Sequence, residues 1–413
     1  MSGRKYHSAL FIAQKFFLRY NLPMKLLMIK AGKALKTIQR DGIVKGGKRV
    51  LTAFFALFGK VGSGDILFVT GGVGDSARYR TQHVAEELEL HGFKCSITVQ
   101  DNPLLPGYAD KFKIFVFHRV LFTPSVEKMI ARIKAQKKEI IFETDDLVYD
   151  AKYLEHMDYF KVMNSFERKL YENGVGGEIL ADPYVKVCTT TTNFLADKLR
   201  EHGKDIFIVS NKLCKKDIEV AKNILQNKKP KIGEIIRIGY FSGALSHNKD
   251  FATITEALMQ IMEKYPQVEL LLAGPLDIES ALNKFAGRVK QIPYAPREKH
   301  FENVANVDIN IAPLEIGNPF CESKSQLKFF EAAIVEVPTV AAATQPFVEA
   351  IEYGLDGLVA SGTLQWFDAL EKLITNENLR KEMGKKAREK ALQKYTTINA
   401  NNEQYYNYLR TKI

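Results

Sequence analysis

From about residue 64 onward, short apolar runs alternate with longer stretches of helical period. The runs Asp65–Thr70, Cys95–Val99, Ile114–Phe117, Glu139–Phe142, Val185–Thr189 and Ile206–Val209 are almost unbroken in hydrophobicity. That suits strands buried on both faces of a parallel sheet. Between them, Ser76–His91, Ser125–Lys137 and Asn193–His202 carry apolar residues at helical spacing, the last closed by Gly203. A polar, lysine-rich stretch over 212–234 interrupts the pattern, which then restarts. Strands are expected at Ile236–Phe241, Val268–Ala273, Val289–Ile292, Asp308–Ala312 and Thr339–Ala342, with helices at Phe251–Tyr265, Lys299–Asn306 and from Gln345 and Thr363. Two βαβ series predict an α/β protein of two doubly wound, Rossmann-like domains. The expected divisions are a helical extension over 1–61, a first domain over 62–211, a linker over 212–234, a second domain over 235–395, and a final helix in 396–413 that crosses back to the first domain.

The first 60 residues differ from the rest. Ala9–Tyr20, Met24–Arg40 and Arg49–Lys60 read as short amphipathic helices with aromatics on one side. None reaches the ~18–20 apolar residues that span a bilayer. No apolar stretch is followed by a small-residue cleavage site, so a cleavable signal peptide is not expected.

Charge sharpens this division. The extension holds 13 of the 59 Lys/Arg and one of the 48 Asp/Glu, so the remainder of the chain is nearly neutral. A neutral body argues against nucleic acid as a partner. A basic amphipathic arm suits an anionic membrane surface, and equally a hairpin packed on the body or on another subunit. The expected location is cytoplasmic, peripheral on the inner face of the cell membrane. The four cysteines, Cys95, Cys188, Cys214 and Cys321, have no metal or redox spacing, which suggests a reducing compartment and no zinc site.

Candidate chemistry collects at predicted strand ends. In the first domain, Gly72 and Gly74 with Ala77 form G-x-G-x-x-A between a strand and a helix, and Arg78 and Arg80 follow. The acid closing the second strand, Asp101, lies 29 residues after Gly72, where a dinucleotide site places it at about 20. The arginines can hold a phosphate or an acidic acceptor, or can be ordinary surface residues. His118 follows the third strand, and Asp145 and Asp146 follow the fourth. Paired carboxylates can orient sugar hydroxyls or act as a base, and mutual repulsion predicts a raised pKa for one of them. The plainer alternatives are a structural histidine, an N-cap and a turn.

In the second domain, Ser242 and Gly243 open a loop toward Lys249. The stretch Asn318–Ala333 follows the Asp308–Ala312 strand. Ser323 with Gln326 fits a capping box. Lys324, Lys328 and Glu331 are spaced to share one helix face, beside Ser325, while Leu327, Phe330 and Ile334 form an apolar face. Two lysines at a helix entrance suit phosphates, and a carboxylate suits ribose hydroxyls.

The glycine loop, Ser-Gly-x-x-Ser-His-x-x-Asp-Phe after the linker, and Lys-Ser-x-x-Lys-x-x-Glu-Ala before Val-Pro-Thr-Val together resemble the group 1 (family 4) glycosyltransferases. The likeness covers about 64–411 and is most specific in 236–345. It implies the two-domain GT-B fold and a nucleotide-diphosphate sugar (UDP-, dTDP- or GDP-linked) held mainly by the second domain. It also implies transfer with retention, no cofactor and no bound metal. Glu331 matches the last glutamate of the family's Glu-x7-Glu motif, a ribose ligand. Lys328, Lys324 and Lys249 would face the diphosphate, and Gly72, His118, Asp145 and Asp146 the acceptor. Ser323 stands where the first glutamate belongs, and Ala244 where an arginine belongs, with Lys324 a candidate replacement. Similar lysine-containing motifs resemble bacterial surface-polysaccharide transferases, including rhamnosyltransferases, so the expected acceptor is a growing cell-surface or lipid-linked glycan. An NAD-dependent oxidoreductase using Gly72 and Gly74, and an inactive GT-B scaffold in a glycan assembly complex, are the competing readings.

Overall fold

The computed structural model describes residues 61–156, 174–228, 233–243, 248–276 and 280–413, with isolated positions at 32, 46, 47, 51, 55, 57, 59, 160 and 168. The helices expected at Ala9–Tyr20, Met24–Arg40 and Arg49–Lys60 lie outside the described residues apart from those isolated positions. Among the described residues, no helix is long and apolar enough to cross a membrane.

The first domain holds β1 (Ile66–Thr70), β2 (Cys95–Val99), β3 (Ile114–His118), β4 (Glu139–Glu143), β5 (Val187–Thr190) and β6 (Asp205–Ile208). The second holds β7 (Ile236–Phe241), β8 (Val268–Ala273), β9 (Val289–Ile292), β10 (Ile309–Ala312), β11 (Thr339–Ala342) and β12 (Leu358–Ala360). The strand orders are β2-β1-β3-β4-β5-β6 and β12-β11-β10-β7-β8-β9. Every ladder is parallel, as strands buried on both faces require.

The two orders decide where ligands can bind. In the first sheet the chain leaves β1 for β2 on one side and then passes to β3 on the other. In the second it leaves β7 toward β8 and β9, then returns to β10 on the opposite side. At each reversal the flanking connections diverge over opposite faces and leave a crevice at the carboxyl edge. The loops after β1 and β3 rim one crevice, and the loops after β7 and β10 rim the other. These loops and the helices after them carry most of the candidate residues, and Asp145 and Asp146 follow the adjacent β4.

A glycine lets the backbones close at each crevice. A Cβ on Gly71 would lie 1.9 Å from the Arg119 carbonyl oxygen, and one on Gly274 would lie 2.0 Å from that of Ser242. Both positions therefore exclude every side chain. Gly72 and Gly74, the pair expected to carry the fingerprint, have nothing within 4 Å of such an atom.

The helix after β1 runs Asp75–Ala77, passes through a π-helical stretch Arg78–His83, and continues as Val84–Leu90. Such widened turns concentrate at functional sites, because the extra residue changes where side chains point. Within the stretch expected as a linker, Lys215–Gln226 forms a helix that buries Ala221. The last helix, Glu403–Arg410, crosses back to the first domain, where Tyr405, Tyr406 and Leu409 join the core of Phe68, Leu88 and Val116. Tyr406 donates 2.6 Å to buried Glu87.

The domains also exchange side chains. Tyr79 of the first domain packs in the core of the second, and Phe320 of the second packs in a core of the first.

Candidate active site

On the first domain, the ends of β1, β3 and β4 bring the expected His118, Asp145 and Asp146 together with Thr70, Ser76 and Arg119. His118 Nδ1 lies 3.1 Å from Thr70 Oγ1, and its Nε2 lies 3.0 Å from Ser76 Oγ. Ser76 Oγ also reaches Asp145 Oδ2 at 2.7 Å. Arg119, in left-handed conformation at φ 48, sets Nε 2.6 Å from Asp145 Oδ1 and pairs through Nη2 with Asp146. Burial alone would raise the Asp145 carboxyl, but Arg119, His118 and Ser76 hold it well below the ordinary carboxylate range. For Asp145 the shift therefore runs opposite to a proton-sharing pair, because a cation spans the two acids. Asp146 also caps the turn Leu147–Tyr149, accepting from Val148 N at 2.9 Å. The plainer reading of an N-cap is thus part of its role.

Arg80 is not an acceptor-side residue. It is fully buried, and its guanidinium grips Glu143 at 2.7 and 3.0 Å while Nη1 donates to the Val209 carbonyl and to Asn211. The π-helical stretch turns it into the sheet rather than out of the crevice. Arg78 is partly exposed and pairs with Asp75 at 2.7 Å. Gly72 and Gly74 lie on the exposed rim of the same crevice.

On the second domain, the organising stretch folds differently from expectation. Asn318 caps a short helix, Pro319–Glu322, by accepting from Phe320 N at 3.0 Å. A second helix, Leu327–Ala333, follows without a side-chain cap. The expected capping box is absent: Ser323 is fully buried, and its hydroxyl donates back to the Phe320 carbonyl at 2.8 Å. Leu327, Phe330 and Ile334 do pack inward. Asn310 on β10 fixes the second helix by donating 3.0 Å to the Lys328 carbonyl.

Lys328 donates to the carbonyl of Phe241, the last residue of β7, and its ammonium sits 5.1 Å over the Tyr240 ring. Burial lowers its pKa, moderated by Glu331 and Asp250. A cation thus stands between the ends of β7 and β10, inside the second crevice. Ser242 is buried there, Gly243 is exposed, and Lys249 is exposed on the following helix Asn248–Ala252. Ala244 lies outside the described residues. Lys324 is partly exposed before the second helix, and Ser325 accepts 2.9 Å from Asn211 of the first domain.

Glu331 sits at the centre of a network whose other members sequence reasoning missed. Its Oε1 accepts from Tyr79 Oη at 2.5 Å and from Arg297, and its Oε2 lies 3.3 Å from His300 Nε2. Burial would raise this carboxyl, yet Arg297, His300 and Tyr79 hold it well below the usual range. Arg297 also forks onto Asp217 at 2.9 Å through Nε and Nη2. Burial pushes the Tyr79 hydroxyl well above its ordinary pKa. The one signal in the sequence was the Arg297-Glu-Lys-His300 spacing at the start of a helix, and it carries no ligand chemistry by itself.

Two clusters have metal-like groupings among the described residues: His83, Cys214 and Asp217, and Asp250, Glu315 and Cys321. In the first, Asp217 is already committed to Arg297, and His83 Nδ1 lies 2.7 Å from the Lys212 carbonyl. In the second, Cys321 Sγ and Glu315 N both approach Asp250 Oδ1, at 3.1 and 3.3 Å. Glu315 Oε2 accepts 3.0 Å from Asn318 Nδ2.

Against this geometry, residues 237–376 match the family model described as Glycosyl transferases group 1. No curated protein matches the sequence. Among solved structures, Anabaena HepE in complex with UDP is 15% identical at a TM-score of 0.55, covering 84% of this chain and all of that one. A glycosyltransferase from Rickettsia africae ESF-5 is 13% identical at 0.58, covering 86% of this chain and 100% of its own. Sucrose-phosphate synthase from Thermosynechococcus elongatus is 12% identical at 0.56, covering 84% and 99%. At these identities the likeness concerns the fold, which is GT-B.

Proposed function

We propose that this chain, on the GT-B fold and matching the group 1 glycosyltransferase model over 237–376, is a glycosyltransferase that moves a sugar from a nucleotide-diphosphate donor to a growing cell-surface or lipid-linked glycan, retaining the donor's configuration. The observation that carries this is the convergence of two crevices. Lys328 and Glu331 line the one in the second domain, His118 and Asp145 line the one in the first, and Tyr79 and Asn211 bridge them.

The roles follow from the chemistry. The diphosphate leaves with negative charge, and Lys328 and Lys324 supply fixed cations where that charge develops, doing what a metal ion does elsewhere. Lys328 is suited to this because burial removes the competing water. Glu331 offers a carboxylate to ribose hydroxyls. On the acceptor side, Asp145 stays ionised beside Ser76 and His118, and an acceptor hydroxyl would take the place of Ser76 at His118 Nε2. No resident cofactor enters this scheme. The transferred unit is a hexose or deoxyhexose such as rhamnose. The basic segment 1–60 would hold the enzyme on the cytoplasmic face of an anionic membrane, where a lipid-linked acceptor is presented.

A thermal-shift comparison tests the reading. UDP, dTDP or GDP, or one of their sugars, should raise the unfolding temperature, and NAD(H) should not. Stabilisation by NAD(H) with none by the nucleoside diphosphates would favour an oxidoreductase. No stabilisation by any of them, with no transfer, would favour a scaffold.

A further inference from the structure

Glu331 is committed in a way that a ribose ligand cannot be while it binds. A carboxylate oxygen has two lone pairs. Both on Oε1 are taken, one by Tyr79 Oη at 2.5 Å and one by Arg297. Only Oε2 retains acceptor capacity, beside His300 at 3.3 Å. A ribose that donates two neighbouring hydroxyls to the carboxylate needs both oxygens. The diol and Tyr79 therefore want the same lone pair.

Tyr79 arrives there from the other domain. It follows the loop after β1, and its ring is buried against Phe330 and His83, with Arg297 stacked 4.9 Å from its centroid. Arg297 itself has a second carboxylate in reserve, because it forks onto Asp217 of the helix Lys215–Gln226. Releasing Glu331 leaves Arg297 paired and costs no orphaned charge. The arrangement thus allows two states, one with Tyr79 on Glu331 and one with a ligand there, in which Tyr79 Oη keeps its contact with Arg297 Nη2.

We propose that Tyr79 and Arg297 form a latch on Glu331 that a donor nucleotide displaces, so that donor binding and this contact between the domains compete for one carboxylate. The inference rests on the reading of Glu331 as the ribose ligand. It makes Tyr79 a positioning residue: it sets the position of the first domain against the empty donor site and withdraws when the site fills.

Titrating the full chain and its Tyr79→Phe variant with UDP, dTDP and GDP tests this. Phenylalanine keeps the ring packing and removes the competing donor. A hydrogen bond to a charged group is equivalent to roughly tenfold or more in affinity, so the variant should bind its nucleotide about tenfold more tightly. In the wild type, nucleotide should slow amide exchange over 323–333 and speed it over 78–84. Unchanged or weaker affinity in Tyr79→Phe, or protection of both segments, would overturn the latch. Glu331→Gln separates the two ideas. If it binds nucleotide as the wild type does, the ribose reading fails and the latch with it. If it loses binding while Tyr79→Phe gains none, the reading stands and the latch fails. Failure of all three nucleotides to bind either protein would contradict both.

Discussion

Arg119 lies across two adjacent carboxylates, with Nε 2.6 Å from Asp145 Oδ1 and Nη2 on Asp146. The strained φ of 48 at Arg119 is the conformation that aims the guanidinium back at the β4 end. One cation thus pairs with both acids, and Asp145, whose Oδ1 also lies 3.6 Å from His118 Nε2, is held ionised.

This fixes the sign of a pH dependence. Asp145 and Glu331 both have folded-state values well below their ordinary ones. Their contribution to stability is fully present above the unfolded carboxylate range, about pH 4–5, and is lost as pH falls through the lower folded values. The urea midpoint should be insensitive to these groups between pH 5 and 8 and should fall steeply below about pH 4. Asp145→Asn should lower the midpoint at pH 7 and flatten the acid limb. An acid limb identical to the wild type would mean that Asp145 is not held ionised by its partners.

Arg80→Ala should act on stability. It strands Glu143, which is buried and also accepts from Thr189. Removing one partner of a buried pair costs about 3–5 kcal/mol. Chemical denaturation should show a loss of that size, and the affinity for nucleotide in the surviving folded protein should stay within a few-fold of wild type. A stable variant with weakened acceptor binding would restore the acceptor-side role.

The two lysines should separate. Lys324→Ala, at a partly exposed position, should reduce turnover with little change in unfolding temperature. Lys328→Ala removes a partly buried cation from the Phe241 carbonyl, so it should lose both nucleotide affinity and about 1–3 kcal/mol of stability. Equal behaviour of the two variants in both measurements would contradict the division.

Leu409→Ala should destabilise the first domain, although residue 409 lies at the far end of the chain. Its side chain is fully buried in the core shared with Phe68 and Val116. A buried Leu→Ala change costs about 2–5 kcal/mol. Amide exchange should quicken in β1 and β3 and stay unchanged in β7 and β10. A uniform effect on both domains would mean that the final helix is not specific to the first.

What was legible in the sequence was the sheet framework, because strands buried on both faces write themselves as apolar runs. Ile236–Phe241, Val268–Ala273, Val289–Ile292 and Thr339–Ala342 fall where the runs place them. The three-residue β12, Leu358–Ala360, has too little apolar length to stand out. βα alternation also placed His118 at the carboxyl end of β3 and Asp145 just after that of β4, where the sequence expects them, while Lys328 lies on the helix Leu327–Ala333. Local rules failed where tertiary contacts decide. Ser323 has the spacing of a cap but is buried, and Asn318 does the capping. Arg80 reads as a surface cation beside Arg78, yet the π-helical stretch turns it inward to Glu143. Tyr79, Ser76 and Arg297 carry no motif, and their importance comes from partners up to 252 positions away.

The most direct test of the account is sugar transfer itself, measured as release of nucleoside diphosphate from UDP-, dTDP- and GDP-sugars by the wild type and by Glu331→Ala and Lys328→Ala, each checked for folding by circular dichroism. The wild type should release nucleoside diphosphate from one donor class, and both variants should lose about two orders of magnitude or more of that rate. Wild-type-like turnover in both folded variants would contradict it.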